Sequence, residues 1–227
     1  MNRRSFLTMS ALGAAGAFTG CATAHPRGIS PNSKLNHACI GVGGMGAADI
    51  SNFKTHPGAQ IVALCDVDKD RLAQAAKAFP GARTYTDWRE LLAREGDRID
   101  SVNVAVPDHN HTIIAVNAMR AGKHVYCQKP LCHEIAECRL LRDTAKRMNV
   151  VTQLGVQHSA GVGDRMSVEM LKAGAVGTVE HIYLFSNRKG VSRIETTRPE
   201  KADPVPASLD WELWLGTAPD RPYAEKV

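Results

Sequence analysis

The sequence predicts an α/β fold: a doubly wound parallel sheet with helices on both faces, followed by the start of a second, α+β domain. Three observations carry this expectation. Apolar, strand-like runs alternate with helix-patterned segments from Lys34 to about Asn149. A glycine-rich turn, Gly41-Val42-Gly43-Gly44-Met45-Gly46, joins the first apolar run to the first helical segment. A second apolar run, Ala59 to Cys65, ends in an acid, Asp66, twenty residues after Gly46.

Ala38-Cys39-Ile40 leads into the glycine turn, and the segment towards Phe53 is helix-like. That strand–turn–helix setting makes an otherwise weak G-x-G-x-x-G a dinucleotide-binding fingerprint. Gly41 allows the tight turn, Gly43 clears space for a pyrophosphate, and Gly46 lets helix and strand pack closely. Gly44 and Met45 complete the loop, and the helix N-terminus offers unpaired N–H groups to the phosphates. Asp66 stands where a ribose-binding carboxylate is expected, accepting from the 2′- and 3′-hydroxyls of NAD and repelling a 2′-phosphate. NAD is therefore the expected cofactor. Arg71, close behind, is the feature that would soften the preference and keeps NADP open.

The remaining elements follow by periodicity. Leu72, Ala75, Ala76 and Phe79 mark a helix over Lys69–Phe79. Asp87-Trp88-Arg89-Glu90 has the form of a capping box, opening a helix with Leu91 and Leu92 inward. Ile99 to Val106 predicts a strand broken by Pro107. The next helix shows Ile113, Val116 and Met119 on one face, and Gly122 ends it. His124–Gln128 is another strand. The helix after it is lined by Ile135, Cys138, Leu141, Ala145 and Met148, and Val150–Val156 closes the sheet.

Two strand ends hold more than packing residues. In such sheets ligands bind beyond the carboxyl ends of the strands. Pro107-Asp108-His109-Asn110-His111 places two histidines at one such end. The alternative is that Asp108 caps the helix and the histidines sit on its exposed first turn. Gln128-Lys129-Pro130 lies at another end. A lysine there, partly buried beside a nicotinamide, would polarise or protonate a substrate oxygen.

These motifs together, in this order and spacing, resemble the Gfo/Idh/MocA oxidoreductases, relatives of glucose–fructose oxidoreductase and inositol dehydrogenase. The resemblance covers roughly residues 34–227. It implies a Rossmann-type domain over residues 34–156 and a partial substrate domain over residues 157–227. It makes Lys129 the catalytic residue for hydride transfer between a nicotinamide and a sugar or polyol carbon. The cofactor set it implies is Gly41, Gly43, Gly44, Met45, Gly46, Asp66, Pro107, His111, Gln128, Lys129, Pro130 and Gln157. The family commonly carries Glu where Gln128 stands. Gly155-Val156-Gln157 is similar to its Gly-x-Gln element, which would put Gln157, and with it His158, near the nicotinamide.

In the second domain, Arg165–Ala173 predicts a helix with Met166, Met170 and Leu171 inward. Val179–Phe185 predicts a strand whose family counterpart begins an open sheet used for oligomer contacts, which implies a homo-oligomer. Arg188 and Lys189 follow as candidate substrate contacts or a solvated strand end. Trp211 and Trp214 would stack on a sugar or form a small local core. The family's downstream Gly-x-x-x-Asp-x-x-x-His element has no counterpart before Val227, so the chain reads as a fragment of a longer protein.

Residues 1–24 resemble a twin-arginine signal: Asn2-Arg3-Arg4-Ser5-Phe6-Leu7, then an apolar stretch from Met9 to Phe18. Ala22-Thr23-Ala24 offers a cleavage site. Phe18-Thr19-Gly20-Cys21 offers a lipobox, in which case a lipid anchor on Cys21 would be the only link to a membrane. The expected location is periplasmic. The net charge of +5 comes without a Lys/Arg run, which argues against a nucleic-acid partner. Of six cysteines, Cys39, Cys65 and Cys127 fall in predicted strands as small hydrophobes. His109, His111, Cys127, Cys132 and His133 match no zinc spacing, so no metal is expected. Two rival functions remain: a glycoside hydrolase using NAD for transient oxidation, and a non-catalytic dinucleotide-binding module.

Overall fold

The computed structural model describes residues 34–157, 159, 161–185 and 201–225. The expected signal with Cys21, together with His158, Arg188 and Lys189, lies outside the described residues.

Six strands form one parallel sheet: β1 Leu35–Ile40, β2 Ala59–Cys65, β3 Arg83–Tyr85, β4 Ser101–Val104, β5 His124–Gln128 and β6 Thr152–Gly155. Their order is β3-β2-β1-β4-β5-β6. The chain starts at the centre, winds to one edge, returns and winds to the other. This leaves a crevice at the carboxyl ends of β1 and β4, where the winding reverses. The helices are α1 Gly44–Thr55, α2 Lys69–Ala78, α3 Trp88–Glu95, α4 His111–Arg120, α5 Ile135–Met148, α6 Val162–Lys172 and α7 Trp211–Leu215.

Helices on both faces explain why Ala38, Cys39 and Ile40 of β1 are apolar and buried in succession instead of alternating. Ala38 and Ile40 enter one cluster with Ile114, Met119 and Leu141, while Cys39 enters the other with Leu64, Ile50 and Leu72. Each large side chain so buried stabilises the domain by about 1.5–3 kcal/mol. α4 is enclosed by the sheet and α5. Ile114, Ala115, Ala118 and Met119 are buried, and it is Ile113, expected inward, that is partly open. α5 packs through Leu141 and Thr144, whereas Ile135 and Cys138 at its start are exposed.

Two local signals resolved differently from expectation. Asp87 does cap α3, accepting from the Arg89 N–H at 2.8 Å, but Glu90 turns outward to Arg94 at 2.8 Å. The reciprocal capping box sits at α5 instead, between Glu134 and Glu137. The three-residue β3 was not anticipated. It is pinned by Glu95, a fully buried carboxylate that accepts from the Arg83 guanidinium and from the Tyr85 hydroxyl. Burial alone would push Glu95 up, but Arg83 and Tyr85 outweigh it and hold it below the usual carboxylate range.

Beyond β6 the expectations need correction. α6 forms over Val162–Lys172, yet Met166, Met170 and Leu171 are exposed rather than inward. Val179–Phe185 is not a strand and is exposed. A lone strand has no ladder to join, and its backbone groups are then better paired with water. Among the described residues no helix is long and apolar enough to cross a membrane.

Candidate functional site

The glycine turn is built by close approach. Gly41 has φ +83°, and its N–H donates to the Cys65 carbonyl at 2.8 Å. A side chain there would run into the Ala105 backbone, and one at Gly46 would run into the Gly41 carbonyl. The turn can therefore pass between β1, β4 and α1 only with glycine at both positions. Gly43 precedes α1, with the Arg71 side chain lying over it, and Gly44 faces open space. Met45 is half exposed on the same loop. The first turn of α1 has neither a side-chain cap nor an acid, so its N–H groups and the positive end of the helix are free for an anion.

Asp66 follows β2 and joins this loop. Its Oδ2 accepts from the Val42 N–H at 2.8 Å and its Oδ1 from the Asp68 N–H at 2.9 Å. Each oxygen keeps further acceptor capacity for hydroxyl donors. Asp68 caps α2 and pairs with Arg71 Nε at 3.3 Å, and the Arg71 side chain lies over Gly43. Gly41, Gly43, Asp66, Arg71 and Pro107 share a cavity of about 400 Å³.

The end of β4 serves two different purposes. His109 and Asn110 reach a later segment: His109 Nε2 lies 2.9 Å from the Trp214 carbonyl oxygen, and Asn110 Nδ2 donates to that same oxygen at 2.9 Å. His111 opens α4 and is buried. Its Nδ1 lies 2.6 Å from the Pro130 carbonyl oxygen and its Nε2 2.9 Å from that of Val106. His111, expected among the cofactor contacts, has both nitrogens close to backbone carbonyls and braces the end of β4 against the turn after β5.

That turn carries Lys129 and Pro130, both exposed. The partial burial expected for Lys129 is not there, because no described element covers the carboxyl end of β5. Among the described residues nothing pairs with its ammonium, which stands free at the carboxyl edge. Gln128, one residue earlier, points the other way and is buried. Its Nε2 donates to both carboxylate oxygens of Asp49, at 2.9 and 2.8 Å. Gln157 Nε2 donates to Asp49 Oδ1 at 3.3 Å and lies 3.9 Å from the Met45 sulfur. Sequence reasoning missed Asp49. The signal was present: an acid three residues after Gly46, beside Ile50, on the face of α1 that must turn towards the sheet.

Trp211 and Trp214 stack on each other at 4.7 Å, with Tyr223 edge-on to Trp211 at 5.2 Å. The segment docks at the carboxyl edge: the Lys69 N–H donates to Ser208 and the Asp210 N–H to Val67, each through a backbone carbonyl. The two indoles thus pack on each other in a half-buried local cluster, and both also line the cavity of the glycine turn.

A family model described as an oxidoreductase family with an NAD-binding Rossmann fold matches residues 35–156. The chain belongs to the Gfo/Idh/MocA oxidoreductase family. Residues 35–156 are thus an NAD-binding Rossmann domain, and the open glycine turn, the uncapped α1 amides and Asp66 fit that cofactor. A glycosyl hydrolase family 109 protein of Solibacter usitatus is 33% identical over 196 residues, covering 79% of this chain and 44% of the relative. An inositol 2-dehydrogenase of Saccharopolyspora erythraea is 33% identical over 178 residues, covering 78% of this chain and 52% of the relative. Among solved structures, a myo-inositol 2-dehydrogenase of Lactobacillus plantarum superposes with a TM-score of 0.61 at 26% identity, covering 65% of this chain and 43% of that one. The chain spans about half the length of the curated relatives it matches.

Proposed function

We propose that the protein transfers a hydride between NAD and a hydroxyl-bearing carbon of a sugar or polyol, with Lys129 exchanging the proton of the reacting oxygen. The observation that carries this reading is that Lys129 is exposed, with no partner among the described residues, at the carboxyl edge of the sheet that holds the glycine turn and Asp66. NAD, when bound, supplies the two-electron acceptor. The protein's own part is to hold, orient and move a proton. The glycine turn and the α1 amides would take the pyrophosphate, and Asp66 the adenosine ribose. In its neutral amine form Lys129 Nζ would accept the proton as the hydroxyl becomes a carbonyl, and the ammonium so formed would return it in the reverse direction. His111 keeps the lysine turn in register with the end of β4. The inositol dehydrogenase relatives support a polyhydroxylated substrate. The reading includes export in folded form, for which residues 1–24 are the support.

The test is an NAD-reduction screen over polyols and sugars with the Lys129→Ala variant beside the wild type. The variant should keep NAD affinity within a few-fold while its rate falls on the order of a hundredfold, the scale of a lost proton-transfer group. Equal loss of NAD binding would make Lys129 structural. Cleavage of a glycoside without net NADH would move the assignment to a hydrolase.

A further inference from the structure

Asp49 is a buried acid with an unusual set of partners. It lies on α1 with 4% of its surface exposed. Besides the amides of Gln128 and Gln157, the Asn103 Nδ2 of β4 donates to its Oδ2 at 3.4 Å. Four elements thus converge on one carboxylate: α1, β4, the end of β5 and the segment after β6. The fit is close on the far side as well. Gly155 is the register partner of Gln128 across β5 and β6, and a Cβ at Gly155 would stand 2.9–3.0 Å from the Gln128 amide atoms.

All these donors are neutral. Among the described residues Asp49 makes no ion pair. The titratable groups that face it are Cys39 on β1 and Tyr126 on β5. Burial first, then the charge of Asp49, pushes both upward and keeps them neutral, and neither a thiol nor a phenol has a cationic form to offer. A buried anion without a counter-charge is expensive unless something cationic joins it. Its position names that partner. Asp49 sits on the helix whose first turn faces the dinucleotide, and it holds the residue immediately before Lys129. Where Lys129 meets the reacting oxygen, the nicotinamide must be in reach. Oxidised nicotinamide carries a positive charge on its ring; the reduced form does not.

We propose that Asp49 is a positioning residue that holds Gln128 and Gln157 beneath the nicotinamide end of the cleft and, through its uncompensated charge, favours the oxidised over the reduced cofactor. This rests on the reading of Lys129 given above. It also accounts for the neutral Gln128, which stands where the family commonly carries Glu: the carboxylate of the pair resides on α1 instead.

The test measures NAD⁺ affinity by calorimetry and NADH affinity by fluorescence titration on the full chain, for wild type, D49N and D49N/Q128E, with thermal melts as the folding control. D49N keeps the shape and removes the charge. It should weaken NAD⁺ about tenfold and NADH less than twofold, because charge acts over several ångströms in a poorly hydrated site. D49N/Q128E returns one carboxylate and one amide to the pocket, and its NAD⁺ to NADH preference should come back to within about threefold of wild type. The double variant decides the question alone if D49N does not fold: a wild-type preference supports the proposal and a lost preference overturns it. Equal weakening of both cofactor forms, or an unchanged ratio in D49N, would also overturn it. Failure of folded wild type to bind either form would overturn the cofactor reading first, and this inference with it.

Discussion

Replacing Asp66 by Ala should invert the nucleotide preference while leaving the fold in place. In the structure each Asp66 oxygen already accepts one backbone N–H, from Val42 at 2.8 Å and from Asp68 at 2.9 Å. The carboxylate would therefore meet the ribose in a fixed orientation. A hydrogen bond to a charged acceptor is worth about 1.5–3 kcal/mol when buried. Asp66 is only half-buried, so about 1 kcal/mol for each of two ribose hydroxyls is the better figure. A loss of about 2 kcal/mol weakens NAD roughly thirtyfold. NADP should respond with the opposite sign. The variant removes a like charge from the 2′-phosphate and leaves Arg71, tethered by Asp68 beside Gly43, as a cation lining the same cavity. The assay is calorimetric titration of both nucleotides into wild type, Asp66→Ala and Asp66→Asn. Asp66→Asn keeps one acceptor oxygen and should fall between the other two. The reasoning is refuted if NAD binding is unchanged in folded Asp66→Ala, or if NAD and NADP weaken by the same factor. The second result would mean that Asp66 only holds the loop.

Glu95→Gln should cost about 2 kcal/mol at neutral pH; Arg83 is 42% exposed, and water screens that part of the network. The folded-state pKa of Glu95 is depressed, so its contribution is present above the ordinary glutamate range and lost as pH falls through the folded value. Wild type and variant should accordingly converge in acid, as urea titrations across pH would show. Cys132 and Cys138 bring their sulfurs to 2.8 Å at the start of α5. Oxidised glutathione should link them by exchange, consuming two thiols that maleimide labelling and peptide mass can count, while Cys138→Ser prevents it. Burial first, and then Cys138, pushes the Cys132 thiol up to about 11, so the exchange should quicken as pH rises.

Much of the sheet was legible because its signals are local. An apolar run such as Ala59–Cys65 reads as a buried strand whatever lies elsewhere, and the strand–turn–helix setting of Gly41–Gly46 is complete within a few residues. Asp66 was legible for the same reason: its distance from the glycine turn is set by one helix and one strand. Helix faces were less legible. The 3.6-residue pattern marks a stripe on α4, α5 and α6 but not what covers it. So Ile113 and Ile135 came out exposed, and the apolar side of α6 met nothing described.

The sequence by itself determined the parallel α/β plan, the dinucleotide turn and the lysine at a strand end, since each is written in neighbouring residues or in a period of two or 3.6. Tertiary structure alone decided which side chains meet. Asp49 and Gln128 are 79 residues apart, and His109 and the Trp214 carbonyl 105. It also separated two adjacent residues, turning Gln128 inward to the buried carboxylate and leaving Lys129 exposed at the edge. The reason is geometric. Successive residues at the end of a strand face opposite sides, and only the packed neighbours on each side decide which becomes a buried partner and which meets a ligand.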